Sequence, residues 1–410
     1  MKKFQCPRGT RDFMPANMAK RKKVFEKIRD VFERYGYGEV CTPAFEDFEL
    51  LSKKSGPEIE EEIYSFKDKS GRKLGLRFDP TVPICRIVAA NSALAKPIKF
   101  YYITNMWRYD RPGAGRWREF WQAGLELIGS NKPEADAEIL AVVYDSMKAI
   151  GIKNFCFKIN SRKIIESFIK QAGIPESKKF GAFRAIDKLD KIGENGVKKE
   201  MKLYKISEKA INKFLDLVKS NKALGEETKE LENIKKLAKS MGVDNIEIDF
   251  SIVRGIDYYT GFVFETFVRG FEELGSVASG GRYDTLIGLY SGTETPATGF
   301  GIGVDRLMET MKNDKKYSAS KTFIVTVKPE LGSEALKIAK KLRSENISVQ
   351  TDIMGRNMKK QLEYANTSGI PYVIIIGEKE LKSNKLVLKN MSKKTQKILS
   401  LMQIIKELKK

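Results

Sequence analysis

Histidine is absent from this 410-residue chain. No side-chain imidazole is therefore available as a general base, a nucleophile's partner or a metal ligand. Any chemistry must run on carboxylates, arginines, tyrosines, metal ions or the substrate itself. Long apolar runs are missing too, and no segment is apolar for long enough to read as a membrane span. The opening residues, Met1 to Asp12, lack the apolar core of a signal peptide. Cysteine is scarce: Cys6, Cys41, Cys85 and Cys156 lie far apart, with no paired spacing. They read as reduced thiols of a cytoplasmic protein, not as a disulfide or zinc set. Acidic residues are outnumbered, with 53 Asp and Glu against 75 Lys and Arg, a formal net charge of +22. That excess favours a polyanionic partner through counterion release. Scattered lysine from a lysine-rich genome gives the same number, and charge does not choose between DNA and RNA.

What is present begins with the stretch Phe100 to Gly129. Aromatic and β-branched residues from Phe100 to Tyr109 suit a strand. Pro112, Gly113 and Gly115 break it, and a second strand is expected over Glu119–Ile128. The result is an antiparallel hairpin whose tip carries Arg111, Arg116 and Arg118. Side chains repeat every second residue, so Gln122, Gly124 and Glu126 share a face. Gly124 leaves a gap between two polar groups where a small ligand fits, with Arg108 within reach of a phosphate. The residues alone equally allow an edge hairpin with solvated arginines.

At this length two or three domains are expected. A helix runs from Pro15 to about Tyr35, with Val24, Ile28, Val31 and Tyr35 as its apolar stripe. Strands follow near Glu39–Pro43, Ile63–Phe66 and Lys73–Phe78. Asp79 and Thr81 stand beside Pro80 and Pro83, which stiffen the segment. A fixed carboxylate and hydroxyl suit an ammonium group; a plain turn or helix start fits as well. A helix at 133–150 opens with acidic residues, as the helix dipole prefers. Residues 161–241 then change to charged helical stretches, an insertion that either clasps RNA or decorates the surface. Arg254 and Gly255 lead into Tyr258 and Tyr259, which an extended backbone would point to opposite faces. Gly299, Gly301 and Gly303 alternate, leaving one strand face bare for a flat aromatic base. Asp305 is expected to cap the next helix, with Arg306 in its first turn. A polar linker at 313–321 precedes an alternating α/β pattern over 322–410, which indicates a sheet covered on both sides.

Arg108, Glu119, Phe120 and the strand to Glu126 resemble motif 2 of class II aminoacyl-tRNA synthetases. The helix–strand–proline start resembles their motif 1, and the glycine strand ending at Arg306 their motif 3. Val253 to Thr260 resembles a signature of histidyl-tRNA synthetases, and Ser279 to Asp284 fits the same family. Gly355 to Gln361 and Gly377 to Leu381 resemble that family's anticodon-binding domain. Bacterial members commonly carry Glu where this chain has Asp79, so the archaeal or eukaryotic type is implied.

The resemblance implies an α+β fold: a class II antiparallel sheet flanked by helices, a helical insertion and a C-terminal α/β anticodon-binding domain. The implied segments are a catalytic core at 1–160 and 242–312, the insertion at 161–241, the linker at 313–321 and the C-terminal domain at 322–410. The implied activity is ligation of L-histidine to tRNA(His), using ATP and Mg²⁺, in a cytoplasmic homodimer. Arg108 and Arg254 are the implied catalytic cations. Arg108, Asp110, Arg116 and Arg306 are assigned to ATP. Glu126 and Tyr259 go to the two imidazole nitrogens of histidine, Gln122, Asp79 and Thr81 go to its amino end, and Tyr258 is counted among the histidine-binding residues. The metal ligands are not assigned. Two alternatives accompany this reading: an inactive regulatory subunit of histidine biosynthesis, and an RNA-binding adaptor. A ligase without histidine in its own chain can also be made when that amino acid is scarce; generally low histidine in the organism's other proteins would remove that idea.

Overall fold

The computed structural model describes the chain apart from residues 1–3, 54–56, 112, 114, 221–224, 254–257, 312–316 and 410, and apart from the side chains of 57–59. The chain forms two compact units, Met1–Asp12 with Lys23–Lys312, and Phe13–Lys22 with Asn313–Lys410.

The strands are β1 Gly38–Glu39, β2 Phe45–Asp47, β3 Ser65–Lys67, β4 Lys73–Leu76, β5 Ile98–Trp107, β6 Glu119–Ile128, β7 Phe155–Ser161, β8 Ile246–Ile248, β9 Phe262–Val268, β10 Ala278–Arg282 and β11 Ala297–Gly303 in the first unit. Those of the second are β12 Thr322–Thr326, β13 Val349–Thr351, β14 Tyr372–Ile376, β15 Leu386–Asn390 and β16 Thr395–Leu399.

The first unit is built on an 8-stranded sheet in the order β1-β5-β6-β11-β10-β9-β7-β8. Only its two outer pairs, β1 with β5 and β7 with β8, are parallel. This is a mixed α+β fold with an antiparallel-rich sheet, as the motifs imply. The β5–β6 hairpin supplies the register: Tyr102 lies opposite Gly124 and Phe100 opposite Glu126. On the other side of β6, Gly299 pairs with Glu126, Gly301 with Gly124 and Gly303 with Gln122.

One face of the sheet is covered by helix Pro133–Ala149 and the later part of helix Pro15–Arg34. Ile28, Val31 and Phe32 pack there with Leu140, Val143, Leu125 and Phe300. Burying such side chains contributes roughly 1.5–3 kcal/mol each. The insertion's helices share this core through Phe183, Ile186, Val197 and Phe214. A buried ion pair, Arg282 to Asp136, ties β10 to helix Pro133–Ala149 at 2.7 Å. The opposite face carries a smaller cluster around Tyr102, Tyr258, Tyr259 and Tyr283.

The second unit has the sheet order β13-β12-β14-β15-β16. Its first three strands are parallel and the last two antiparallel. Apolar residues alternate between its faces: Ile324 and Ile374 on one side, Phe323 and Val373 on the other. The fifth strand, β16, is not anticipated by the pattern. Its residues Thr395 to Ile398 are exposed, as a lysine-bearing edge strand can be, so no apolar alternation marks it.

Candidate functional site

Two joined cavities open on the β6–β11 region. The smaller, about 50 Å³, is lined by Asp79, Thr81, Tyr102, Glu126, Tyr258, Tyr259 and Tyr283 among others. The larger, about 700 Å³, is lined by Asp110, Arg116, Phe120, Ser276, Gly303 and Arg306 among others. Arg108, Gln122, Ser279 and Gly301 border both.

Glu126 is the centre of the smaller cavity and is 1% exposed. Thr81 Oγ1 donates to its Oε1 at 2.7 Å, and the Tyr283 hydroxyl donates to its Oε2. Burial nevertheless dominates and pushes the carboxyl up to about 8, against the two donors; Asp79 nearby adds to the rise. Burial also pushes the phenols of Tyr102, Tyr258 and Tyr283 well up, so they remain neutral. Asp79 lines the same cavity. Its Oδ1 accepts from the Val82 amide at 3.2 Å, whereas its buried Oδ2 accepts from no described residue. Desolvation raises its pKa, and Arg108 opposes the rise.

The structure alters several sequence expectations. Thr81 was assigned to the amino end of a ligand, yet its hydroxyl is engaged by Glu126. The gap at Gly124 is filled from across the hairpin: a Cβ there would strike the Tyr102 hydroxyl and the Phe300 carbonyl. Register explains this, since Tyr102 sits opposite Gly124. The bare glycine strip on β11 is also narrower than its alternation suggests. A Cβ at Gly299 would run into the Glu126 carboxylate, and one at Gly301 into the Gln122 amide. Those glycines make room for polar neighbours on β6, and Gly303 is the open one. Tyr258 and Tyr259 do not face apart. Tyr258 stands at a turn, not in a strand, and the two rings are 4.8 Å apart on one cavity wall. Asp305 does not cap its helix, because Gly303 holds that position. Its carboxylate instead accepts from the Trp121 amide at 2.6 Å and from Arg11.

In the larger cavity the Arg108 guanidinium lies over the Phe120 ring at 5.3 Å, and its Nε donates to the Phe78 carbonyl at 3.1 Å. Asp110 accepts from Arg116 at 3.2 Å and from the Arg111 amide at 2.6 Å. Arg306 donates to the Ser276 carbonyl at 2.5 Å, and Gly115 of the hairpin tip approaches its stem. Arg254, with Gly255, Ile256 and Asp257, lies outside the described residues. The segment leading to it is held by buried Asn160, which donates to the Ile252 carbonyl at 2.7 Å.

Sequence reasoning passed over Tyr102 and Tyr283, whose importance depends on cross-strand register. It also passed over the N-terminal segment: Arg11 lies over the Trp117 ring at 4.0 Å, and the Gly9 carbonyl accepts from the Arg118 amide at 2.8 Å. No local periodicity announces a contact between residues so far apart.

The comparisons with known proteins cover the whole chain. A family profile described as histidyl-tRNA synthetase matches residues 9–307, and one described as an anticodon-binding domain matches residues 321–410. The chain is 40% identical to a histidine–tRNA ligase of Pyrococcus horikoshii, covering 98% of each. It is 41% identical to one of Methanococcus maripaludis, covering 98% of this chain and 99% of that protein. The crystal structure of a histidyl-tRNA synthetase from Nostoc sp. PCC 7120 matches with a TM-score of 0.85 at 28% identity, over 100% of this chain and 99% of that one. The matched residues thus include both cavities, and the chain belongs to the histidyl-tRNA synthetase family.

Proposed function

We propose that the two cavities divide the labour of histidine–tRNA ligation between them, the small one selecting histidine and the large one holding ATP. The observation that carries this is Glu126, a buried carboxyl fixed by Thr81 and Tyr283 beside an arginine-lined cavity. In the first step the histidine carboxylate attacks the α-phosphate of ATP, giving histidyl-adenylate and pyrophosphate. Negative charge gathers on that phosphate, and preplaced cations stabilise it without any proton-abstracting side chain. Arg108 and Arg254 take this role. Arg116, oriented by Asp110, and Arg306 hold the triphosphate and adenine.

Glu126 and Tyr259 bond the two imidazole nitrogens; a carboxylate accepts well from a ring N–H. Tyr258 packs beside them. The unsatisfied Asp79 Oδ2, with Gln122, suits the ammonium group. Thr81 acts by holding Glu126. The ribose hydroxyl of the tRNA 3′ end then attacks the adenylate. Full-length likeness to ligases does not favour a regulatory subunit or a bare RNA adaptor.

Mg²⁺ is expected with the triphosphate. Among the described residues no three His, Cys, Asp or Glu side chains are grouped to hold a metal. The described residues therefore form no cage for it. Among the described residues no helix is long and apolar enough to cross a membrane. A cytoplasmic homodimer is our further proposal, checked by light scattering. We place tRNA recognition in the 322–410 domain and the 161–241 insertion.

ATP–pyrophosphate exchange with each amino acid tests the reading. Histidine alone should drive exchange, and Arg254→Ala should lower it by about 10²–10³-fold or more. Exchange driven by another amino acid refutes the assignment.

A further inference from the structure

The helical insertion reaches the reaction chamber. The joint between its helices Lys179–Ile186 and Leu189–Leu203 contributes Ile186, Asp187, Leu189, Asp190 and Lys191 to the wall of the large cavity. Gly193, at φ 64° and ψ 175°, breaks the second helix, so residues 189–192 form a turn of their own. A side chain at 193 would resist that left-handed φ. The turn is firmly seated. Ile186 is 1% exposed within the main core, and Leu189 packs against the same core. The Lys191 and Ile192 amides both donate to the Lys188 carbonyl.

The two lysines of this turn differ in their surroundings. Lys188 is paired with Glu200. Lys191 is exposed to the cavity and forms no ion pair among the described residues. The cavity's described cations are Arg108, Arg116, Lys191 and Arg306. The three arginines come from the hairpin and from helix Val304–Glu309, whereas Lys191 comes from the insertion. The insertion's other charged contributions, Asp187 and Asp190, are acidic and would repel a phosphate. Lys191 is therefore the insertion's anion-accepting point on that wall.

We propose that Lys191 binds a backbone phosphate of the single-stranded 3′ end of tRNA and thereby brings the terminal ribose to the adenylate. This rests on the ligase reading above. The triphosphate already has three arginines from the other elements, while the second substrate must enter the same chamber and present its own phosphates. An ammonium–phosphate contact is charge-assisted and loses much when the cation is removed.

Lys191→Ala, an exposed and therefore fold-neutral change, separates the steps. Exchange in the absence of tRNA should stay within about twofold of the parent. Single-turnover transfer from preformed adenylate to tRNA, or to an acceptor-stem minihelix, should fall about tenfold or more. Lys191→Arg should recover most of it. Unchanged transfer overturns the proposal. So does an equal loss in exchange, which would give Lys191 to the triphosphate. Should the unmodified protein exchange histidine poorly, the ligase reading itself falls, and that outcome is visible before any variant is made.

Discussion

The two cavities share a border yet solve opposite problems. The small one is lined by buried groups, four tyrosines and two carboxyls. The large one is lined by cations that keep contact with solvent; the Arg116 side chain is 47% exposed. Burial makes each polar group decisive in the first, because a group left unpaired there has lost most of its access to solvent. Screening makes each charge modest in the second, so binding relies on several cations together. The difference teaches where selectivity and strength would reside under the proposed division of labour: selectivity among the buried groups, and the hold on a highly charged ligand among the exposed cations.

Variants can break this contrast. Glu126→Gln keeps the shape but replaces the carboxylate proposed to face the imidazole with a neutral amide, in which one acceptor oxygen has become a donor. We expect kcat/KM for histidine in exchange to fall about 10²-fold or more, with the KM for ATP little altered. A comparable change in both constants would erase the distinction between the cavities. Gly299→Ala drives a methyl group into the Glu126 carboxylate and the Leu125 carbonyl. A loss of about 1–3 kcal/mol in urea-unfolding stability should accompany roughly tenfold weaker use of histidine. Wild-type stability and kinetics would show that β11 can move aside.

A third test uses pH. Burial raises the Glu126 carboxyl to about 8, so the free pocket holds its proton at neutrality. Binding that needs the carboxylate must release it. Affinity for histidine should therefore improve with rising pH, by about tenfold between pH 7 and 9, and level off above. Calorimetry in buffers of different ionisation heat should detect proton release, and Glu126→Gln should flatten the slope. A flat profile in the parent contradicts the assignment. The same raised pKa lowers folding stability as pH climbs from the usual glutamate range to about 8, since the unfolded chain has already lost that proton. The smallest effect belongs to the wet side. Arg116→Ala should raise the KM for ATP only a few-fold, more at low salt, with the histidine KM unchanged. A larger rise that ignores salt would mean that Arg116 is desolvated in the complex.

Much of the scaffold was legible. Strands β6 and β9 begin and end at Glu119–Ile128 and Phe262–Val268, where local β preference and turn residues place them. Helix Pro133–Ala149 follows its apolar spacing and its acidic start at Glu134 and Asp136. The edge strand β16 was not legible, because solvent on both sides removes the pattern that marks buried strands.

Within the site, the chain's own order put Gln122 and Glu126 on one face of a strand, and set the motifs that carry the family. Local preference and period two are enough for that. Which groups meet Glu126 was settled only in three dimensions. Thr81 and Tyr283 arrive from segments far away in the chain, and Tyr102 closes the gap at Gly124 through hairpin register. The raised carboxyl likewise belongs to no residue alone: it is the sum of burial by many elements, and short-range sequence contains no term for that.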